Sequence, residues 1–196
     1  MLPILNKLTF ADLYRNIPEG VGPRVCVLCD GQASAIEVEC MLKDTISKAR
    51  LGLNVCVGSR GQKIDLLKLN IELSNGADIL IISPSAFSEH KVEEMINLQR
   101  CCHLVIETAD KTLKNHEDAV ESFFSKWRKQ RKLLSFQSEI PDQVVVLAQE
   151  WDESLFKFNK FLIKRNLHPM MIFASHSLVH VYKNLYFLLS KVVQVD

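Results

Sequence analysis

An α/β domain built on a parallel sheet is the fold class this sequence predicts, and three observations predict it. Short β-branched apolar runs recur along the chain, segments with the 3.6-residue spacing of amphipathic helices separate them, and the runs are apolar at nearly every position. Strands covered on both faces read that way, whereas half-exposed strands alternate. Strand–helix–strand connections of this kind are right-handed crossovers, which place helices on both sides of the sheet.

The first run is Val25–Leu28. Ala35, Val38, Leu42, Ile46 and Ala49 follow at intervals of 3, 4, 4 and 3, the face of one helix. Asn54–Val57, Asp78–Ile82 and Leu104–Ile106 are the next strands. Asn115 is a helix-start residue with Glu117 and Asp118 in the first turn, and Val120, Phe123, Phe124, Trp127 and Leu134 supply that helix with its apolar face. Val144–Leu147 is a fifth strand. Trp151, Leu155, Phe158 and Leu162 repeat the helical spacing, with Lys164 and Arg165 at the end where the helix dipole favours cations. Met170–Phe173 is expected as a sixth strand.

The chain has 196 residues, enough for one good-sized domain, and its 47% hydrophobic and 24% charged content excludes a disordered chain. A formal charge of +1 gives no bulk attraction to nucleic acid or anionic lipid, so any such contact needs a local patch. No apolar run approaches the ~20 residues that span a bilayer, and no membrane partner is expected. Six cysteines include one CxxC, Cys26 and Cys29, but on a strand that spacing sends the sulfurs to opposite faces. The thiols read as small buried hydrophobes, not as zinc ligands or disulfides. His176 and His180 lack a third ligand and a Glu-x-x-His pattern, so no metal site is expected there.

In open parallel sheets, ligands sit at the carboxyl ends of the strands. The residues following the runs are Asp30–Ala33, Gly58–Gly61, Ser83–Ala86, Glu107–Asp110 and Ala148–Glu150. Taken in order, their surroundings resemble the first RecA-like lobe of a DEAD-box RNA helicase, over residues 1–174. Met1–Leu8 is similar to the segment after that family's phosphate loop. RVCVLCDGQASA (24–35) resembles the strand ending in PTRELA, GADILIISPSAF (76–87) the strand leading into TPGRL, HLVIETADKTL (103–113) the strand and DEAD box, and QVVVLAQEWDESL (143–155) the SAT motif and its helix.

Every signature is worn down. The family's phosphate loop ends in Gly-Lys-Ser/Thr, whose amides and lysine hold the phosphates, and this chain has no Gly-Lys pair. Across the DEAD box, Glu107 takes the position that organises Mg²⁺ and Thr108 the position that orients the attacking water, leaving Ala109 and Asp110 unchanged. A hydroxyl does not replace a positioned base, whose loss costs roughly 10²–10⁴-fold. Ala148, Gln149 and Glu150 replace Ser-Ala-Thr, and Gln32 and Ala86 replace the arginines of PTRELA and TPGRL. The resemblance implies ATP and Mg²⁺ as cofactors, yet these departures remove the groups that hold them, so no bound cofactor is expected. Arg60, Ser83 and Ser85 remain as RNA-backbone contacts, and Lys126–Lys132 packs five cations into seven residues, with Arg128, Lys129 and Arg131 as RNA-binding candidates beside the plainer reading of a solvated helix face.

Eroded lobes of this kind resemble those of Tudor-domain-containing, Yb-type helicase-like proteins of the piRNA pathway, and the stretch His168–Tyr182 is similar to the region after SAT in that group. The resemblance implies a cytoplasmic, perinuclear germline-granule protein whose partners are other piRNA-pathway proteins and weakly held RNA. Residues 175–196 read as a segment leading towards a second lobe, and Val181, Leu185, Leu188 and Val192 form one apolar face expected to pair with a second copy. Two functions follow: a non-catalytic interaction lobe, or a piece of an active ATP-dependent RNA helicase whose phosphate loop lies upstream of residue 1.

Overall fold

The computed structural model describes residues 2–10, 14, 22–58, 66–133, 142–165, 167, 170 and 172. In chain order these form α1 (Leu2–Thr9), β1 (Val25–Leu28), α2 (Gln32–Lys48), β2 (Val55–Val57), α3 (Leu66–Ser74), β3 (Ile79–Ile82), α4 (Pro84–Phe87), α5 (His90–Met95), β4 (His103–Ile106), α6 (Ala109–Leu133), β5 (Gln143–Val146) and α7 (Glu153–Lys164). The five strands make one sheet in the order β2-β3-β1-β4-β5. All pairs are parallel and share one register, with Val25 opposite both Ile79 and His103, Val55 opposite Ile79, and Gln143 opposite His103. The strands therefore start together and end together.

Continuous apolar runs form the centre because both faces are covered: every residue of β1, β3 and β4 is buried. Alternation along the strands splits the core in two. Cys26, Leu28, Leu80, Ile82, Leu104 and Ile106 pack with the buried residues of α3, α6 and α7. Val25, Val27, Ile79, Ile81 and Val105 pack with those of α1 and α2. Cys26 and Cys29 accordingly lie in separate clusters, and among the cysteines only Cys40 is exposed. Trp127 anchors α6 by donating its indole N–H to the Cys101 carbonyl at 2.7 Å.

The strand starts are clasped by polar groups. Arg24 donates from Nε and Nη2 to Asp78 Oδ1 at 3.1 and 2.5 Å, while Asp78 Oδ2 accepts the Asn54 amide at 2.9 Å. The Arg24 carbonyl accepts the Cys102 amide at 3.0 Å, which draws in the start of β4. The guanidinium lies 5.0 Å from the Tyr14 ring centroid, and the Tyr14 hydroxyl is hydrogen-bonded to Nε2 of the fully buried His103 at 3.0 Å.

Three details depart from the expectations. Helix α6 begins at Ala109 rather than Asn115, but it is broken at His116 (φ −141, ψ 37), next to the expected start. The helices α3, α4 and α5 are too short for their spacing to stand out in the sequence. Of the expected sixth strand, the described residues Met170 and Ile172 lie in no strand and are each 82% exposed; a brief apolar run does not by itself name a sheet edge to receive it. Arg60, Leu134, Met171 and residues 173–196, with the apolar tail face, lie outside the described residues. No described helix is long and apolar enough to cross a membrane.

His103 makes stability pH-dependent. Burial, reinforced by the charge of Lys7, pushes its imidazole down from 6.5 to about 4. The unfolded chain therefore takes up this proton before the folded one does. Stability is complete above 6.5 and falls as pH drops from 6.5 towards 4. Urea unfolding across that window is expected to show this loss, and His103→Gln to flatten it.

Candidate functional site

The shared register brings the ends of β1, β3, β4 and β5 to one rim, where the DEAD-, TPGRL-, PTRELA- and SAT-like loops meet. Glu107 stands at its centre, immediately after β4. Its amide donates to the Leu28 carbonyl at 2.9 Å, which continues the β1–β4 ladder by one residue and fixes where the side chain starts. Its carboxylate does not project free. Ser34, in the first turn of α2, donates its hydroxyl to Glu107 Oε2 at 2.7 Å, and Thr108 donates its own hydroxyl to the same oxygen.

Thr108 sits at φ +47, in the left-handed region that β-branched residues rarely adopt. Its neighbours hold it there. The Ala109 amide donates to the Leu147 carbonyl at 2.7 Å, Thr112 donates its hydroxyl to the Glu107 carbonyl at 2.8 Å, and the Lys111 and Thr112 amides both reach the Thr108 carbonyl at 2.9 Å. Asp110, in the first turn of α6, accepts the Gln149 amide at 3.3 Å and so ties the SAT-like loop to the DEAD-like one. Ala148, Gln149 and Glu150 are exposed.

Asp30, in the PTRELA-like loop, is gripped from the α6 break. Asn115 Nδ2 donates to Asp30 Oδ1 at 2.8 Å and His116 Nε2 to the Asp30 carbonyl at 3.0 Å. Both side chains stand where His116 departs from helical angles. Cys29 lies beside them but is chemically quiet: burial, and then the charge of Glu107, push its thiol up to about 12 against the opposing hydrogen bond with Ser34. In the TPGRL-like loop, Ser83 caps α4 by accepting the Ala86 amide at 3.2 Å, and the Ser83 and Ser85 hydroxyls lie 3.2 Å apart.

The rim thus gathers Asp30, Ser83, Ser85, Glu107, Thr108, Asp110 and Ala148–Glu150, but not the cationic candidates. Lys129 lies 20 residues beyond Ala109, about 30 Å of helix away, near the strand starts. There Arg131 donates to Asp142 Oδ1 at 2.8 Å and to the Gln99 carbonyl at 2.7 Å, and Arg128 donates to the Arg165 carbonyl at 3.0 Å. Both arginines stitch α6 to its surroundings, whereas Lys129 is exposed and unpaired among the described residues. Ser34, Asn115 and His116 are the contributors that sequence reasoning missed. Ser34 was visible as the fifth residue of the DGQASA stretch, but nothing in the chain announces its partner across the sheet.

No family model matches the chain. Among curated proteins it is 30% identical over 138 residues to the ATP-dependent RNA helicase DBP2 of Vanderwaltozyma polyspora, covering 67% of this chain and 29% of the relative. It is 24% identical over 179 residues to the ATP-dependent RNA helicase p62 of Drosophila melanogaster, covering 91% and 23%. The yeast DEAD-box splicing factor Prp28 superposes over 76% of this chain and 34% of its own with a TM-score of 0.62 at 17% identity. The fold is that of a DEAD-box RecA-like lobe. Prp28 of Chaetomium thermophilum, solved bound to ADP, gives a TM-score of 0.51 at 16% identity over 82% of this chain and 35% of that one. The relatives in sequence are DEAD-box RNA helicases, and the chain spans under a third of the length of those it matches.

Two measurements test this geometry. Removing one donor from Glu107 by Ser34→Ala or by Thr108→Ala is expected to cost about 1 kcal/mol in urea unfolding. The double variant should cost more than the sum, because only then does Oε2 lose both donors. Arg131→Ala should lower stability by about 1–2 kcal/mol through its lost hydrogen bonds, and Lys129→Ala should leave it within about 0.5 kcal/mol.

Proposed function

We propose that the chain is a non-catalytic DEAD-box-like lobe that serves protein assembly and weak RNA contact in the piRNA pathway, as part of a Tudor-domain-containing, Yb-type protein of a perinuclear cytoplasmic granule. The reading rests on one observation above the rest: the Glu107 carboxylate, at the position where the resemblance puts the Mg²⁺-organising acid, is engaged by two internal hydroxyls. A metal ion on that oxygen would have to displace the Ser34 and Thr108 hydroxyls. Among the described residues no group of three or more His, Cys, Asp or Glu is arranged for a metal. These contacts support a lobe that does not engage Mg·ATP. The piRNA assignment, the granule and the protein partners rest on the resemblance of the eroded motifs and of His168–Tyr182.

RNA contact in this reading comes from Ser83 and Ser85 at the rim and from backbone amides there, with Arg60 as a third contact. Without the two arginines that Gln32 and Ala86 replace, affinity is low and indifferent to base sequence. A second reading, a piece of an active RNA helicase, is favoured by the relatives being ATP-dependent RNA helicases.

Titration calorimetry with Mg·ATP and a phosphate-release assay with added RNA, both on the full-length protein, separate the two. The expected result is no measurable binding and background turnover, unchanged by Glu107→Asp combined with Thr108→Glu. Micromolar Mg·ATP binding or RNA-stimulated turnover by the full-length protein would favour the helicase reading.

A further inference from the structure

At the opposite side of the sheet from β5, strand β2 ends the strand order. Its bonds to β3 are made by alternate residues: the Asn54 carbonyl accepts the Ile79 amide at 3.1 Å and the Gly58 amide donates to Ile81 at 2.8 Å. In a parallel ladder the residues between turn their N–H and C=O the other way, so those of Val55 and Val57 face outward. Among the described residues no strand pairs with them. A cavity of about 420 Å³ lies along this edge, banked by α2 on one side and α3 on the other. Ile46, Leu53 and Val55 give it an apolar floor.

Its charges are not balanced. Lys43, on the α2 bank, is already paired with Glu39 at 2.6 Å. Glu72, on the α3 bank, is half-buried and has no partner among the described residues. The α3 face continues outward through Ile71 and Leu67, which are 59% and 77% exposed at a spacing of four residues.

We propose that this groove receives an extended peptide segment of a partner protein, which adds as a strand to β2 and sets a basic side chain against Glu72. Strand addition supplies hydrogen bonds that no described strand gives Val55 and Val57. Alternate side chains of the guest fall on opposite faces, so a segment with apolar residues towards the floor and an arginine towards α3 matches both banks. A negatively charged guest would meet Glu72 without compensation.

The experiment uses the full chain, isotope-labelled, and a capped hexapeptide of alternating threonine and valine with one central arginine. Saturable binding is expected, with amide shifts centred on Val55 and Val57. Glu72→Gln should weaken it about fivefold, the scale of a partly exposed ion pair. Glutamate in place of the arginine should weaken binding to the unaltered chain and cause no further loss in Glu72→Gln. A probe N-methylated at alternate residues should not bind, since strand addition needs its amides. No saturation at millimolar probe overturns the proposal. Shifts centred away from β2, or binding indifferent to both Glu72→Gln and N-methylation, overturn it as well.

Discussion

The Arg24–Asp78 pair sets the alignment of this molecule. Arg24 stands at the start of β1 and Asp78 at the start of β3, and one carboxylate serves both the guanidinium and the amide that opens β2. Through the Arg24 carbonyl the same group also reaches the start of β4. Apolar strands such as VCVL and ILII slide past one another at little cost in burial, because every position is hydrophobic. A polar clasp at one end removes that freedom. Both charges are largely shielded, with side chains 15% and 18% exposed, so a slipped register would strand them without partners.

Alignment at the starts becomes alignment at the ends, and the ends are where the loops meet. What gathers there is a set of groups that satisfy each other. Two hydroxyls converge on one oxygen of Glu107, Asp110 takes the Gln149 amide, and Asn115 and His116 close on Asp30. The left-handed backbone at Thr108 persists in this setting although a β-branched residue disfavours it. Polar groups aimed at one another give internal order. Polar groups aimed at a ligand leave their valences open until it arrives, whereas Glu107 Oε2, Asp110 Oδ1 and Asp30 Oδ1 each already hold an internal donor.

Helix α6 belongs to both ends of the sheet. Its first residues carry Asp110 and, at the break, His116, while its last turns carry Arg131, which bonds to Gln99 and Asp142 near the strand starts. A cationic cluster in a sequence invites a nucleic-acid reading, yet two of its arginines have structural work within the lobe. Only the neighbours of each side chain separate the two uses.

The parallel α/β class, all five observed strands to within a residue at each end, and the buried faces of α2 and α7 were legible in the sequence, because apolar continuity and 3.6-residue spacing follow directly from burial. The loops of the rim were legible too, since strand ends locate them and their eroded motifs keep the family's order. The strand order, the break at His116, the exposure of Met170 and Ile172, and the pairing of Ser34 with Glu107 were not. These depend on which residues far apart in the chain meet in space and which do not: Ser34 and Glu107 are separated by 73 positions, Asp30 and His116 by 86. Local pattern determines which segments become strands and helices. Which carboxylate a hydroxyl satisfies is decided only when packing brings the two together.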